Sequence, residues 1–94
     1  MINIRESELK NILKEFNNSR IKIIIKGALV EEIQFNNPIV KYTMRSGNIE
    51  IKDRSTQNIF NINTFLAYKI SRDNDFTIIE LYMDNDLEIK IKKI

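Results

Sequence analysis

Apolar positions along this chain keep two different periods. Up to residue 17 they recur every three or four residues, and from residue 20 onward every second residue. Leu9, Ile12, Leu13 and Phe16 lie on one face of a 3.6-residue repeat, which predicts an amphipathic helix over 4–17. Glu6, Lys10, Lys14 and Asn17 form the opposite, polar face. Asn3 or Ser7 offers a start, and Asn3 with Glu6 has the spacing of a capping box. Asn17-Asn18-Ser19 ends the pattern. A helix buried on one side against a sheet follows.

From Arg20 the alternation is that of strands. Ile21, Ile23 and Ile25 alternate with Lys22, Ile24 and Lys26. Gly27 interrupts, and Leu29, Glu31, Ile33 and Phe35 resume, so one long strand bent at Gly27 is expected. Asn36-Asn37-Pro38 reads as a turn. Residues 39–45 read as a strand, with Val40, Tyr42 and Met44 on one face and Lys41, Thr43 and Arg45 on the other. Ser46-Gly47-Asn48 links it tightly to Ile49-Glu50-Ile51-Lys52. Residues 53–58 are polar loop, and the pattern over 59–63 does not decide between strand and loop. A strand over 65–71 follows, turned by 72–75. Residues 76–83 are apolar on both faces, which predicts a central strand covered on both sides. After Asp84-Asn85-Asp86, Leu87, Ile89 and Ile91 alternate with Glu88, Lys90 and Lys92. The expected core is Phe16, Ile23, Ile25, Tyr42, Ile49, Ile51, Ile78, Leu81, Ile89 and Ile91.

Short connections favour antiparallel neighbours, because parallel pairs need long crossovers. The expected class is α+β, mainly β. The N-terminal helix precedes a five- to seven-strand antiparallel meander, arranged as a small SH3-like or Sm-like barrel or a curled sheet. One domain over 1–94 is expected, with the helix at 4–17 and the β-meander at 20–93.

Composition sharpens the functional reading. The 94 residues contain no His and no Cys, which removes imidazole acid–base chemistry, thiolate nucleophiles and the usual zinc ligands. The five serines lack a His partner for a triad, and Gly27 and Gly47 are too far apart for a phosphate loop. Glu31 and Glu32 are strand neighbours that point to opposite faces. The expectation is no enzyme, no cofactor and no metal. The apolar set holds 19 Ile against 2 Val, a skew that follows AT-rich coding and also favours strands. No run approaches the length of a membrane span or a signal peptide, and the absence of cysteine fits a cytoplasmic setting. Asn17-Asn18-Ser19 has the form of a glycosylation site, without meaning in a protein that is not secreted.

Two features could carry binding chemistry. Asp73/Asp75 and Asp84/Asp86 form two Asp-Asn-Asp triplets, which suit hard cations but are also preferred turn residues, and turns are the expected reading. Arg20, Lys22 and Lys26 share a strand face, as do Lys41 and Arg45, and Lys90 and Lys92. If these adjoin, they make a polyanion-binding face, with Tyr42, Phe35, Tyr68 and Phe60 as candidates for base stacking. Glu50 and Glu88 interleave with the cations, and the net charge is only +2, so a mixed solvated face is the plainer expectation.

Gly27-Ala28-Leu29, with Asn37 ten residues after the glycine, resembles the Gly-x-Leu and downstream Asn of the Sm motif. The likeness spans about a dozen residues, and Ile33 stands where that motif has Asp. It implies a barrel-like fold and no RNA-binding residue in particular.

Elimination of catalytic motifs leaves a small, non-catalytic interaction module as the expected function. Such a module binds another protein and self-associates as a homodimer. The expected contact is the edge of the last strand, 87–94, or the apolar seam between helix and sheet. The alternative is a nucleic-acid-binding small β-barrel for RNA or single-stranded DNA.

Overall fold

The computed structural model describes residues 4–43, 45–63, 65–73, 76–84 and 86–94; the side chains of 4–7, 73 and 76 lie outside that description. One helix, α1 (Ile4–Glu15), precedes β1 (Ile21–Lys26), β2 (Val30–Phe35), β3 (Pro38–Thr43) and β4 (Asn48–Asp53). There follow β5 (Ile59–Ile62), β6 (Ala67–Asp73), β7 (Phe76–Tyr82) and β8 (Glu88–Lys93). The strands form two antiparallel sheets: a five-stranded sheet in the order β2-β1-β8-β7-β6 and a three-stranded sheet in the order β3-β4-β5. The class is the expected mainly β one with an N-terminal helix, in its curled-sheet form; the two sheets do not close into a barrel.

The helix stripe behaves as its spacing demands. Leu9, Ile12, Leu13 and Phe16 are buried. Asn3 of the expected capping box lies outside the described residues; Ser7 falls inside α1. At the far end Asn18 adopts the left-handed conformation (φ 61°) that Asn tolerates beyond a helix. The chain end of α1 is tied to β3: Asn18 N–H donates to the Pro38 carbonyl at 3.0 Å, and Val40 N–H donates to Asn17 Oδ1 at 2.6 Å.

The expected bend at Gly27 is instead a reversal. Gly27-Ala28-Leu29 closes a hairpin in which Lys26 pairs with Val30 and Ile21 with Phe35. Gly27 N–H donates to the Leu29 carbonyl at 3.0 Å, and a Cβ on Gly27 would stand 3.2 Å from Leu87 Cδ1. A three-residue loop keeps the odd-numbered residues inward on both arms, so alternation alone cannot tell a bend from a hairpin.

A second correction concerns the last strand. β8 is not an edge: it pairs with β1 on one side, from Ile21↔Lys93 to Lys26↔Glu88, and with β7 on the other. The edges of the large sheet are β2 and β6. The undecided segment at 59–63 forms β5, with Phe60 opposite Ile51 and Ile62 opposite Ile49.

One core lies between the sheets. The inner face of the large sheet supplies Ile21, Ile23, Phe35, Ile79, Leu81, Ile89 and Ile91; the small sheet supplies Val40, Ile49, Ile51 and Ile62; α1, with Phe16 just past its end, supplies the rest. Ile25 and Tyr42 are partly buried against this cluster. Phe65, in the link between the sheets, has ring centroids 6.4 Å from Tyr42 and 6.2 Å from Tyr68, so aromatic contacts bridge the two sheets. Ile78 departs from expectation. It sits half-buried on the outer face of β7, because the helix and the small sheet cover only the other face.

Truncation should separate these two isoleucines. Ile89→Ala is expected to cost about 2–5 kcal/mol of unfolding free energy, as other large-to-small core changes do. Ile78→Ala should cost about 1 kcal/mol or less, since Ile78 is only partly buried and the solvent-facing side of β7 leaves no enclosed cavity behind. Urea denaturation of both variants measures the difference; equal losses would contradict the assignment of faces.

Candidate functional site

Strand register lays out the outer face of the large sheet as three rows. The first runs Gln34, Lys22, Lys92, Ile78, Ser71; the second Glu32, Ile24, Lys90, Glu80, Lys69; the third Val30, Lys26, Glu88, Tyr82, Ala67. Arg20 extends the face below Lys22, where its carbonyl accepts from Ile94 N–H at 2.9 Å. Five of the sequence-predicted basic residues, Arg20, Lys22, Lys26, Lys90 and Lys92, therefore share one surface. Lys41 and Arg45 do not join them: Lys41 is on the outer face of the small sheet, and Arg45 follows it in the turn after β3. The core separates the two outer faces.

Carboxylates interrupt the basic surface. Lys22 Nζ is 3.6 Å from Glu32, and Lys90 Nζ is 3.9 Å from Glu80. Tyr82 donates its hydroxyl to Glu80 Oε2 at 2.6 Å. That bond, with burial and the charges of Glu80 and Glu88, pushes the phenol above its ordinary value of 10.0. The four aromatic side chains considered for base stacking lie elsewhere. Phe35 is buried in the core, and Tyr42, Phe60 and Tyr68 pack against it from the inner faces.

The outer face of the small sheet is polar and shallow. Lys41, Thr43, Asn48, Glu50, Asn61 and Asn63 line a depression of about 110 Å³. Next to it, Ile39, Lys52, Ile59 and the loop residues Arg54 and Gln57 border a more open hollow of about 460 Å³. Asp53 is the one buried charge among the described residues, and it works as a knot. Its carboxylate accepts from Asn36 N–H (3.3 Å), Asn37 N–H (3.2 Å), Ser55 N–H (3.0 Å) and Thr56 Oγ1 (3.2 Å). Two turns, 36–37 and 54–58, are thereby fastened to β4. Burial pushes this carboxyl up, but the four hydrogen bonds outweigh it and hold it below 3.8.

The edges of the large sheet are its other distinctive feature. Among the described residues no strand pairs with the outer side of β2 or β6. Each edge begins with exposed aliphatic side chains: Leu29 and Val30 are 78% and 65% exposed, and Leu66, just before β6, is 72% exposed. Val30 and Ala67 occupy the same row, so both apolar entries lie at one end of the sheet. The two edges differ in charge. β2 carries Glu31 and Glu32, whereas β6 carries Lys69 and Arg72, the latter 2.8 Å from Glu15 of α1. Sequence reasoning passed over both edges and Lys69. The alternation of Tyr68 and Ile70 with Lys69 and Ser71 contained the signal for Lys69, but only the neighbour relations of the strands identify an edge.

Among the described residues there is no group of three or more acidic side chains that could hold a metal ion, and no helix is long and apolar enough to cross a membrane. Asp75, Asn74 and Asn85 lie outside the described residues; Asp84 and Asp86 are exposed, and Asp86 has the positive φ (59°) of a turn residue. No family, curated protein or solved structure matches this chain.

The carboxylate of Asp53 is held below its ordinary value, so its stabilising contribution is complete above about pH 4 and disappears as pH falls through the depressed value. Asp53→Asn should therefore melt lower than the wild-type protein at pH 7, with the gap narrowing as the pH is taken below 3.8. Thermal melts across that range check it. A gap that stays constant with pH would contradict the role given to the charge.

Proposed function

We propose that this chain is a non-catalytic interaction module of the cytoplasm, binding another protein molecule, including copies of itself, through the open edges of its five-stranded sheet. The observation that supports this reading is the state of β2 and β6. Both are full-length edge strands flanked by exposed Leu29, Val30 and Leu66. Unpaired backbone groups beside exposed aliphatic side chains are what strand addition uses for affinity and specificity. The lack of His and Cys favours binding over catalysis.

A second reading has one specific observation in its favour. The outer face of the large sheet gathers six cations (Arg20, Lys22, Lys26, Lys69, Lys90 and Lys92) against three carboxylates (Glu32, Glu80 and Glu88). That excess is larger than the net +2 of the whole chain, so the charge is concentrated on one side. Such a face attracts polyanions. The interleaved glutamates, and the inward placement of four candidate rings, weigh toward protein binding instead.

Light scattering over a micromolar concentration range should give a mass that rises above the 11.2 kDa of one chain. A mass that stays at one chain throughout would remove self-association. Titration with single-stranded RNA and duplex DNA at two salt concentrations decides the second reading. Binding that is tight at low salt and falls steeply with added salt would favour a nucleic-acid partner over a protein.

A further inference from the structure

Taking the edge-binding reading as its basis, we infer that the edge β2 of one copy is built to receive the edge β6 of another, head to tail. Every neighbouring pair in the large sheet is antiparallel, so β2 and β6, four strands apart, run in the same direction. A second copy placed alongside in the same orientation sets its β6 parallel to β2, with outer face continuing outer face. A flipped copy would turn its core-covering face to the wrong side.

The rows then match. Glu32 stands in the same row as Lys69, and Val30 in the same row as Ala67. On the inner face Ile33 shares a row with Ile70, and each is only partly buried at its own edge. In-register addition therefore sets a carboxylate beside an ammonium and completes the burial of two isoleucines. Lys22, 3.6 Å from Glu32, leaves that carboxylate about half exposed and open to a second cation.

Two-fold pairing of like edges lacks this complementarity. Two β2 strands would bring four glutamates into one seam, and β2 has no cation of its own. Two β6 strands would set two Lys69 and two Arg72 against only two Asp73, which leaves a net positive seam. Like charges across strands oppose pairing. A head-to-tail contact is heterologous, so it propagates into a ring or a chain of copies rather than stopping at a two-fold dimer.

Charge exchange tests this. Glu32→Lys and Lys69→Glu are prepared separately, and circular dichroism melts confirm that each is folded. Sedimentation velocity is then run on wild type, on each variant alone and on an equimolar mixture. Each variant alone should associate roughly five- to tenfold more weakly than wild type, because an opposed pair becomes a like pair at every contact. The mixture should recover wild-type association, since the altered edge of each variant then meets its opposite charge on the other. If both variants associate as wild type does, or if the mixture fails to recover, the head-to-tail pairing is wrong while edge binding stands. If the wild-type protein itself stays monomeric to about a hundred times typical micromolar working levels, self-association through the edges fails altogether.

Discussion

The pairing of β1 with β8 is the constraint on which the rest of this fold depends. It joins residues 21–26 to residues 88–93 along six registered pairs, so strands near opposite ends of the chain become the centre of one sheet. Its inner face sets Ile23 against Ile91 and Ile25 against Ile89, and three of these four are buried. Everything between must return to that seam. The β1–β2 hairpin is attached on one side, the β6–β7–β8 meander on the other, and the intervening segment is left to form the small sheet over the core. A contact this distant in sequence is entropically demanding to close, and the isoleucine rows are what offset it.

The small sheet and the helix are then located by polar contacts as well as by packing. Asn17 and Asn18 fasten the end of α1 to β3, and Asp53 fastens two turns to β4. These bonds satisfy backbone donors that would otherwise be unpaired in partly buried positions. The binding surfaces follow from the same arrangement. With β8 in the centre, β2 and β6 become the outer strands, one acidic and one basic, and the lysines of β1 and β8 are drawn together on the open face.

Local periodicity revealed much of this. The helix stripe from Leu9 to Phe16, the inward Val40 and Tyr42 of β3, and the alternation of β4 and β8 could all be read directly, because each depends only on which side of an element faces the core. The hairpin at Gly27 could not, since both arms keep the same parity. The interior place of β8 could not either: strand order is a property of long-range pairing, and a terminal strand looks the same at an edge or in the centre. For the basic residues the sequence grouped the strand faces of β1 and β8 but left open whether the groups adjoin. Lys41 lies on the outer face of the small sheet, Arg45 follows in the turn after β3 rather than on the strand, and Lys69 was omitted. Ile78 was misassigned because its strand is apolar on both faces, and no pattern within the strand says which face the second layer covers.

Amide hydrogen exchange followed by NMR bears most directly on this account, because it reads strand order and edge use in one experiment. In dilute protein the amides of β8 should be among the slowest to exchange, as befits a strand bonded on both sides, while alternate amides of β2 and β6 exchange fast. On concentrating the protein, the fast amides of β2 and β6 should slow together and those elsewhere should change little. Exchange in β8 as fast as at an edge would contradict the fold. Edge amides that stay fast when the protein self-associates would contradict the assignment of the binding surface.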